Sequence, residues 1–308
     1  MTMDLRDIDY FAVIAEHRHL GRAAEALGLG QPALSISLRR LEKSAGAKLV
    51  KRTPKGVELT DVGRVLLSHV RRLRLAREDL AHEISDLAHG QAGHLRIGAS
   101  PVTANGLLAD ACSTLLKDAP KITLEVSITP STDALLQAMH KGELDIIVPH
   151  ASSVPAGGLT WEPLWEDEFV VYASVRHRLA RRKSVTLADL VEERWAATAT
   201  TAFRGRRSLS QTFEERGLPA PQIALTSDSG GVMIRRLVTS SNLLGIGARR
   251  AVERDAGQFG LKIIPVTDLR RIRPVYVAYR NDGYLSPVAK RLIEILRAMA
   301  KEIATKKQ

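Results

Sequence analysis

The segment QPALSISLRRLE, residues 31–42, restricts the fold of this chain more than any other stretch. Leu34, Leu38 and Leu41 are spaced four and three residues apart, which predicts one buried stripe of an amphipathic helix. Pro32 suits the first helical turn, where a missing N–H costs nothing. The opposite face is polar and carries Gln31, Ser35, Ser37, Arg39 and Arg40. Taken alone, that face is explained either by solvation or by a binding role.

Two short helices and a glycine-containing turn lead into this segment. Together with it they predict a helix-turn-helix. The first helix is marked by Leu5, Ile8, Phe11, Ala12 and Ala15. The second helix lies near 22–27, and Gly28 can take the left-handed conformation that ends it. In this motif the later helix enters the major groove of DNA and its first residues reach base edges. We therefore predict DNA contacts by Arg22, Gln31, Pro32, Ser35, Ser37 and Arg39.

The next segment, AKLVKRTPKGVELT, predicts a β-hairpin that forms a wing. Two short apolar runs flank the turn-rich centre Thr53-Pro54-Lys55-Gly56. Arg52 and Lys55 lie near the predicted tip, where basic side chains would contact phosphates without reading sequence. A solvated hairpin is the alternative interpretation.

A long helix is predicted after Thr60-Asp61, which form a good helix cap. Four leucines recur every seven residues, with Val70 and Ile84 between them, at Leu66, Leu73, Leu80 and Leu87. This heptad seam, interrupted by Arg77, predicts a linker helix through which the chain dimerises. The alternative is a helix that packs on its own domain.

Charge is concentrated in the same region. The chain carries 45 Lys and Arg against 34 Asp and Glu, a net charge of +11. Residues 18–77 hold a net +10, whereas the flanking segments 1–17 and 78–90 are acidic. Such a block is expected of a face that binds nucleic acid.

These features together resemble the LysR-type transcriptional regulators. The resemblance rests on Ala23-Ala24, QPALS, Leu41-Glu42, Arg52-Thr53 and Leu59-Thr60-x-x-Gly63 at these spacings. The sequence departs from the family pattern at Gly21 and Gly30, where the family commonly places hydroxyl residues. Each glycine removes a hydroxyl that could cap a helix or touch the DNA backbone.

The resemblance implies a fold class and a division into domains. It implies an N-terminal winged helix-turn-helix, mostly α, and an α/β bilobed effector domain resembling periplasmic solute-binding proteins. The expected parts are a DNA-binding domain at 1–60, a linker helix at 61–89, a hinge at 90–93 and the effector domain at 94–308. Its first lobe would span about 94–160 and 268–300, and its second about 165–265. A tetramer is expected from the resemblance alone.

The chain beyond residue 93 alternates strand and helix patterns, which predicts an open parallel sheet. Ligands of such sheets bind at the carboxyl ends of strands. This rule predicts effector contacts by Ser100, Val102, Thr103, Thr129, Pro149, His150, Thr200, Thr201, Phe203, Arg204 and Ser229. For each of these residues a simple helix-capping role is the alternative.

The chemistry of these residues favours a small organic anion as effector. Several of them lie at predicted helix N-termini, where free N–H groups and hydroxyls bind anions. Arg204, in the basic cluster FRGRR at 203–207, could neutralise a negative group if it faces the cleft. If the cluster faces outward, it serves solubility or a subunit contact instead.

Other classes of function lack their motifs. Cys112 is the only cysteine, and GASPV at 98–102 differs from the G-x-S-x-G of serine hydrolases. We find no phosphate-binding glycine loop, and we expect no cofactor, no metal and no enzymatic activity. The acidic start MTMDLRDIDYF and the lack of long apolar windows predict a cytoplasmic protein. The rival hypotheses are a solute receptor and an enzyme on a similar fold.

Overall fold

The computed structural model describes residues 3–54, 56–89, 93–151, 154, 157–198, 201, 208–227 and 231–305, without the side chains of residues 78, 82 and 85–89. The chain divides into two compact units, Met1–Glu83 and Ile84–Gln308. In the described residues, no helix combines the length and apolar character that crossing a membrane requires.

The N-terminal unit consists of three short helices, a two-stranded wing and the start of a long helix. Its elements are α1 (Leu5–His17), α2 (Leu20–Ala26), α3 (Gln31–Ala45), β1 (Val50–Thr53), β2 (Gly56–Leu59) and α4 (Asp61–His89). The core includes Phe11, Ile14, Leu34, Leu41 and Leu49, all buried. The predicted stripe of α3 is therefore confirmed, because Leu34, Leu38 and Leu41 all face this core.

The wing is fastened to the turn between α1 and α2. Arg18 has a left-handed backbone, with φ at 50°, and its carbonyl accepts a hydrogen bond from the N–H of Val57 at 2.8 Å. Gly56 also has a positive φ of 128°, and a Cβ there would lie 2.3 Å from the Arg18 carbonyl oxygen. Glycine at position 56 thus lets the wing approach this turn.

The start of helix α4 lies similarly close to the backbone of Lys48 and Leu49. The Thr60 hydroxyl donates to the carbonyl of Lys48 at 2.7 Å and accepts from the N–H of Gly63 at 3.0 Å. A Cβ at Gly63 would lie 2.0 Å from the Leu49 carbonyl oxygen, so only glycine fits. These contacts give a physical reason for the Leu-Thr-x-x-Gly spacing.

The apolar residues of α4 serve two different surfaces. Val70 is buried and Leu66 is partly buried in the core of the N-terminal unit, so this part of the predicted seam packs on its own domain. The prediction that Leu66 and Val70 belong to the dimerising seam is therefore wrong. Beyond them, Leu73, Leu80 and Ile84 are 53%, 56% and 57% exposed, at spacings of seven and four residues.

The second unit contains one large mixed sheet. Its strands are β3 (His94–Ala99), β4 (Thr123–Ile128), β5 (Ile146–Val148), β6 (Leu159–Ser174), β7 (Arg194–Ala197), β8 (Gln222–Thr226), β9 (Leu244–Ala248), β10 (Leu261–Ile263) and β11 (Arg271–Arg280). The spatial order is β4-β3-β5-β11-β6-β9-β7-β8, with β10 also paired to β6. The two groups β3–β4–β5 and β7–β8–β9 are parallel, as predicted.

Helices cover the sheet. They are α5 (Pro101–Thr103), α6 (Ala109–Asp118), α7 (Thr132–His140), α8 (Leu209–Glu214), α9 (Gly231–Thr239), α10 (Arg249–Phe259) and α11 (Pro287–Thr305). A π-helical turn, Ala104–Leu108, joins α5 to α6.

Two long antiparallel strands, β6 and β11, cross from one lobe to the other. They pair from Leu159–Arg280 to Phe169–Arg271, and β6 then pairs with β9 and β10. Strand β6 contains a proline, Pro163. A register shift lies beside this proline, at Val275/Tyr276. Proline is tolerated at such irregularities since it cannot donate a ladder hydrogen bond.

Each lobe has a core on both faces of the sheet. In the first lobe, α6 and α11 cover one face and α7 the other. In the second lobe, α8 and the 3-10 turns Arg178–Arg181 and Ala188–Leu190 cover one face, and α9 and α10 cover the other. This arrangement brings the carboxyl ends of β3 and β5 close to the crossing strand β6.

Candidate nucleic-acid interface and ligand cleft

The N-terminal half of α3 presents polar side chains to solvent. Gln31, Pro32 and Arg39 are exposed and Ser35 is half-buried. The Arg39 guanidinium donates from Nε to the carbonyl of Ser35 at 3.3 Å, which holds it along the same face. Gly30 begins the helix without a side-chain cap. The face therefore offers hydrogen-bond donors and acceptors on a rigid element.

Ser37 does not belong to that face. It is 4% exposed, and its hydroxyl donates to Oδ1 of the buried Asp7 at 2.7 Å. Arg40 donates to the same carboxylate from Nε and Nη2, each at 2.5 Å. The hydrogen bond from Arg40 lowers the pKa of Asp7. The prediction that Ser37 contacts DNA is wrong, because its hydroxyl ties α3 to α1 inside the unit.

A histidine ring in the turn before α2 caps that helix, in place of the hydroxyl that Gly21 lacks. The His19 ring caps α2, accepting at Nδ1 from the N–H of Gly21 at 3.1 Å and of Arg22 at 3.4 Å. The exposed Arg22 side chain donates from Nη2 to the carbonyl of His17 at 3.2 Å. Arg22 is thus held at the surface, next to a histidine cap that the sequence did not identify.

The structure describes one of the two wing residues that we predict to contact phosphates. Arg52 lies in β1 with its side chain exposed. Lys55 lies outside the described residues. Lys51 is also exposed in β1, so the strand carries two basic side chains near the turn.

In the second unit, Ser100, His150 and Asp167 form a continuous chain of hydrogen bonds. Ser100 Oγ lies 2.9 Å from His150 Nδ1, and His150 Nε2 lies 2.8 Å from Asp167 Oδ2. The Trp165 indole N–H donates to Asp167 Oδ1 at 3.2 Å. The side chains of His150 and Asp167 are almost fully buried. Asp167 and Trp165 come from β6, and neither residue is among the predicted site residues.

The directions of these hydrogen bonds decide what Ser100 can offer. With a neutral imidazole, His150 Nε2–H donates to Asp167, so Nδ1 must accept the Ser100 hydroxyl hydrogen. The Ser100 oxygen also accepts from the N–H of Thr103, as the cap of α5. In this assignment the Ser100 oxygen acts as an acceptor, and the Thr103 hydroxyl oxygen lies 2.8 Å from it.

Basic side chains surround this chain of hydrogen bonds. Arg250 Nε lies 3.9 Å from Asp167 Oδ1, and Arg273 lies opposite Asp167 in the β6–β11 pairing. The Arg273 guanidinium carbon is 4.8 Å from the centre of the Phe169 ring. The His150 ring meets the same phenyl ring edge-on at 5.9 Å. The Arg250 guanidinium thus lies near the buried Asp167 carboxylate and the Arg273 guanidinium lies over the adjacent Phe169 ring, a basic setting that favours an anionic ligand.

The lobes touch at this edge of the cleft. Val102 packs against the core of the second lobe. Arg254 of α10 donates to the backbone carbonyl of Asn105 in the π-helical turn of the first lobe. Thr129 is half-buried, and its hydroxyl accepts from the N–H of Ser131 at 3.3 Å. Ser100, Val102 and His150 thus lie at the junction between the lobes.

Three other predicted effector residues are buried. Thr103 is buried and its hydroxyl donates to the carbonyl of Val148 at 2.8 Å. Pro149 is buried behind the cleft, and Thr201 is buried with its hydroxyl bonded to Thr198 at 2.9 Å. In this structure the three side chains therefore contact protein, and an effector contact by any of them stays a prediction. The predicted residues Thr200, Phe203, Arg204 and Ser229 lie outside the described residues.

A cavity of about 190 Å³ opens in the second lobe beside the cleft, between β6 and the segment around β10. It shares Phe169 with the basic cluster, and its polar lining comes from Glu168 and Arg249, which form an ion pair at 2.6 Å. That pairing neutralises both charges locally.

Metal and thiol chemistry find no support in the described part of the chain. It holds no group of three histidine, cysteine or carboxylate side chains placed to bind a metal. Burial raises the pKa of the Cys112 thiol to about 11, so this group is a poor nucleophile at neutral pH.

Family models match both units. The model for "Bacterial regulatory helix-turn-helix protein, lysR family" matches residues 5–64, and the model for "LysR substrate binding domain" matches residues 88–301. This chain belongs to the LysR family. It is a transcriptional regulator with a DNA-binding helix-turn-helix and an effector-binding domain, and the predicted fold class is confirmed.

Curated LysR-type relatives cover almost the whole chain. The HTH-type transcriptional regulator GbpR of Azospirillum brasilense is 27% identical over 298 residues, covering 96% of this chain and 86% of the relative. The SDS degradation transcriptional activation protein of a Pseudomonas species is 30% identical over 292 residues, covering 93% of each.

Solved structures of full-length regulators share the fold. A single-residue variant of full-length OxyR from Pseudomonas aeruginosa aligns with a TM-score of 0.63 at 22% identity, covering 98% of this chain and 95% of that one. Full-length CbnR complexed with its target DNA aligns with a TM-score of 0.62 at 19% identity, covering 96% and 99%.

Proposed function

We propose that this LysR-family regulator reads its operator with Gln31, Ser35 and Arg39 and holds the DNA backbone with Arg22 and Arg52. The observation that carries the proposal is the exposed polar face at the start of α3. Glutamine and arginine can pair bidentately with base edges in the major groove. Pro32 lies among them, and Lys55 is a further candidate for phosphate contact.

A gel-shift assay tests the assignment of readers. The probes are the DNA upstream of the regulator's own gene and an unrelated duplex of equal length. Gln31→Ala should weaken binding to the upstream DNA by about 1–3 kcal/mol and affect the unrelated duplex much less. Equal losses on both probes would mean that Gln31 only positions the protein.

The exposed stripe of α4 supports assembly as a dimer. Leu73, Leu80 and Ile84 leave a row of apolar side chains in solvent that a second copy would cover. We assign residues 1–60 to DNA binding, 61–89 to dimerisation and 94–308 to effector binding. Because the regulator binds chromosomal DNA, we assign it to the cytoplasm.

The effector is assigned as a small organic anion that binds beside His150. The guanidinium groups of Arg250 and Arg273 would neutralise a carboxylate or a similar group. Ser100 then accepts a hydrogen bond from a hydroxyl or amine of the same ligand. Binding changes the population of two arrangements of the assembly, which requires different affinities for the two.

A thermal-shift screen of metabolite anions, followed by calorimetry, tests the effector class. Arg250→Ala and Ser100→Val should weaken an anion that stabilises the parent, whereas the exposed Arg181→Ala variant should bind it normally. Equal binding by all four proteins would move the site elsewhere. If only neutral or cationic compounds bind, the assigned chemical class is wrong.

The Ser100–His150–Asp167 chain also raises a second candidate function, that of a hydrolase. In serine hydrolases the serine hydroxyl faces Nε2 and the carboxylate faces Nδ1. Here the ring is reversed, and the Ser100 oxygen already accepts one hydrogen bond, from the N–H of Thr103, as a helix cap. We assign no enzymatic activity to the chain, and turnover of p-nitrophenyl esters that disappears in Ser100→Val would contradict this assignment.

A further inference from the structure

Ile36 is an apolar side chain in the middle of the face that α3 presents to solvent. It is 55% exposed, whereas the next residue, Ser37, is 4% exposed. The simplest expectation, an inward isoleucine and an outward serine, is therefore reversed. Asp7 explains the serine, because it draws the Ser37 hydroxyl inside. It does not explain why position 36 is apolar.

The neighbours of Ile36 define a small apolar strip. Residues three and four positions away on a helix share its face, and for Ile36 these are Pro32, Ala33, Arg39 and Arg40, all exposed. Pro32, Ala33 and Ile36 thus form one side of the exposed face. The hydrogen-bonding residues Gln31, Ser35 and Arg39, spaced four apart, form the other side.

A single exposed apolar residue is ordinary on a protein surface. The position of Ile36 is what matters, because it lies beside Arg39 on the helix assigned to the major groove and within the +10 segment of the chain. Strongly basic surroundings favour DNA as the occupant over a second, equally basic copy of this unit. In the major groove the exposed apolar feature is the C5-methyl group of thymine.

We propose that Ile36 reads a thymine in each operator half-site by packing against its C5-methyl group. The inference rests on the proposed DNA-reading role of α3. It assigns thymine specificity to an apolar residue beside the polar readers. Burial of one methylene corresponds to about a four-fold change in affinity, so loss of one thymine methyl should cost the parent about that much per contact.

The experiment can be done before the operator is identified. The full-length parent selects its preferred duplex from a random pool, and each thymine of that duplex is then replaced singly by deoxyuridine, which removes only the methyl group. Dissociation constants are measured by fluorescence anisotropy for the parent, Ile36→Ala, Ile36→Val and Gln31→Ala. Val175→Ala, which shortens a 51% exposed side chain in the second unit, is the matched control.

The proposal predicts one thymine in each half-site whose deoxyuridine replacement weakens the parent, Gln31→Ala and Val175→Ala about four-fold. Ile36→Ala should bind the thymine duplex and the deoxyuridine duplex equally. The loss of affinity on deoxyuridine replacement should be intermediate for Ile36→Val. The circular dichroism spectra and light scattering of the Ile36 variants should match those of the parent, because Ile36 is exposed.

Two results would overturn the proposal while leaving DNA reading intact. One is an unchanged deoxyuridine effect in Ile36→Ala. The other is a change in assembly size in Ile36→Ala with the deoxyuridine effect retained, which would make Ile36 a subunit contact. Failure of the parent to select any sequence would instead refute the proposed function itself.

Discussion

Replacing Asp7 by Asn removes the charge that joins α1 to the helix assigned to DNA reading. The Ser37 hydroxyl donates to this buried carboxylate at 2.7 Å, and hydrogen bonds to charged groups stabilise by about 1.5–3 kcal/mol. The Arg40 side chain is exposed, so solvent screens most of its contribution. We expect Asp7→Asn to destabilise the N-terminal unit by about 2 kcal/mol.

Hydrogen exchange of the full-length chain measures this local stability. A loss of about 2 kcal/mol corresponds to roughly 30-fold faster exchange of the most protected amides of α1 and α3 at pH 7. Glu16→Gln, which changes an exposed carboxylate on the same helix, is the matched control and should exchange like the parent. Amides of the second unit should be unaffected in both variants.

The pH dependence of this difference has a defined sign. The pKa of Asp7 is lowered in the folded state, chiefly by the hydrogen bond from Arg40, below its ordinary value of 3.8. The stabilisation is therefore present above about pH 4 and is lost as the pH falls through the lowered pKa. The gap between parent and Asp7→Asn should close in acid. Equal exchange at pH 7, or a gap that widens in acid, would refute the reasoning.

Three further predictions concern the wing, the linker helix and a close approach. Arg52→Ala should weaken all DNA about equally and lower the salt-dependence slope by roughly one unit, and an unchanged slope would remove the wing from the interface. Leu73→Asp should dissociate the dimer, because it places a charge in an apolar stripe; light scattering that still reports the parent assembly would contradict this. Gly63→Ala should lower the thermal midpoint of the N-terminal unit, because its Cβ would lie 2.0 Å from the Leu49 carbonyl oxygen; an unchanged midpoint would contradict that packing.

Periodicity in the sequence was sufficient to predict the helix-turn-helix and the alternation of strands and helices beyond residue 93. The stripe Leu34, Leu38 and Leu41 predicted the inner face of α3, and that prediction is confirmed. The same logic failed one residue away, at Ser37. A serine is buried there because a carboxylate thirty residues earlier accepts its hydroxyl. Pairings over such distances leave no periodic signal in one sequence.

The sequence predicted only part of the side-chain cluster around His150. The ends of β3 and β5 pointed to Ser100 and His150, which lie together in the structure. Asp167, Arg250 and Arg273 were missed because they come from the crossing strands β6 and β11 and from the start of α10. The sequence rule considers only parallel strands, whereas these residues reach the cleft through antiparallel pairing and the docking of the second lobe.

The most direct test of DNA reading by α3 is the specificity ratio of the full-length chain. Its affinity for the duplex it selects and for a scrambled duplex would be measured by anisotropy at one fixed, physiological salt concentration, with Gln31→Ala alongside. We predict that the parent binds the selected duplex at least about 10³-fold more tightly than the scrambled one, and that Gln31→Ala loses about ten-fold or more of this ratio. A ratio near one for the parent, or an undiminished ratio for Gln31→Ala, would contradict the account.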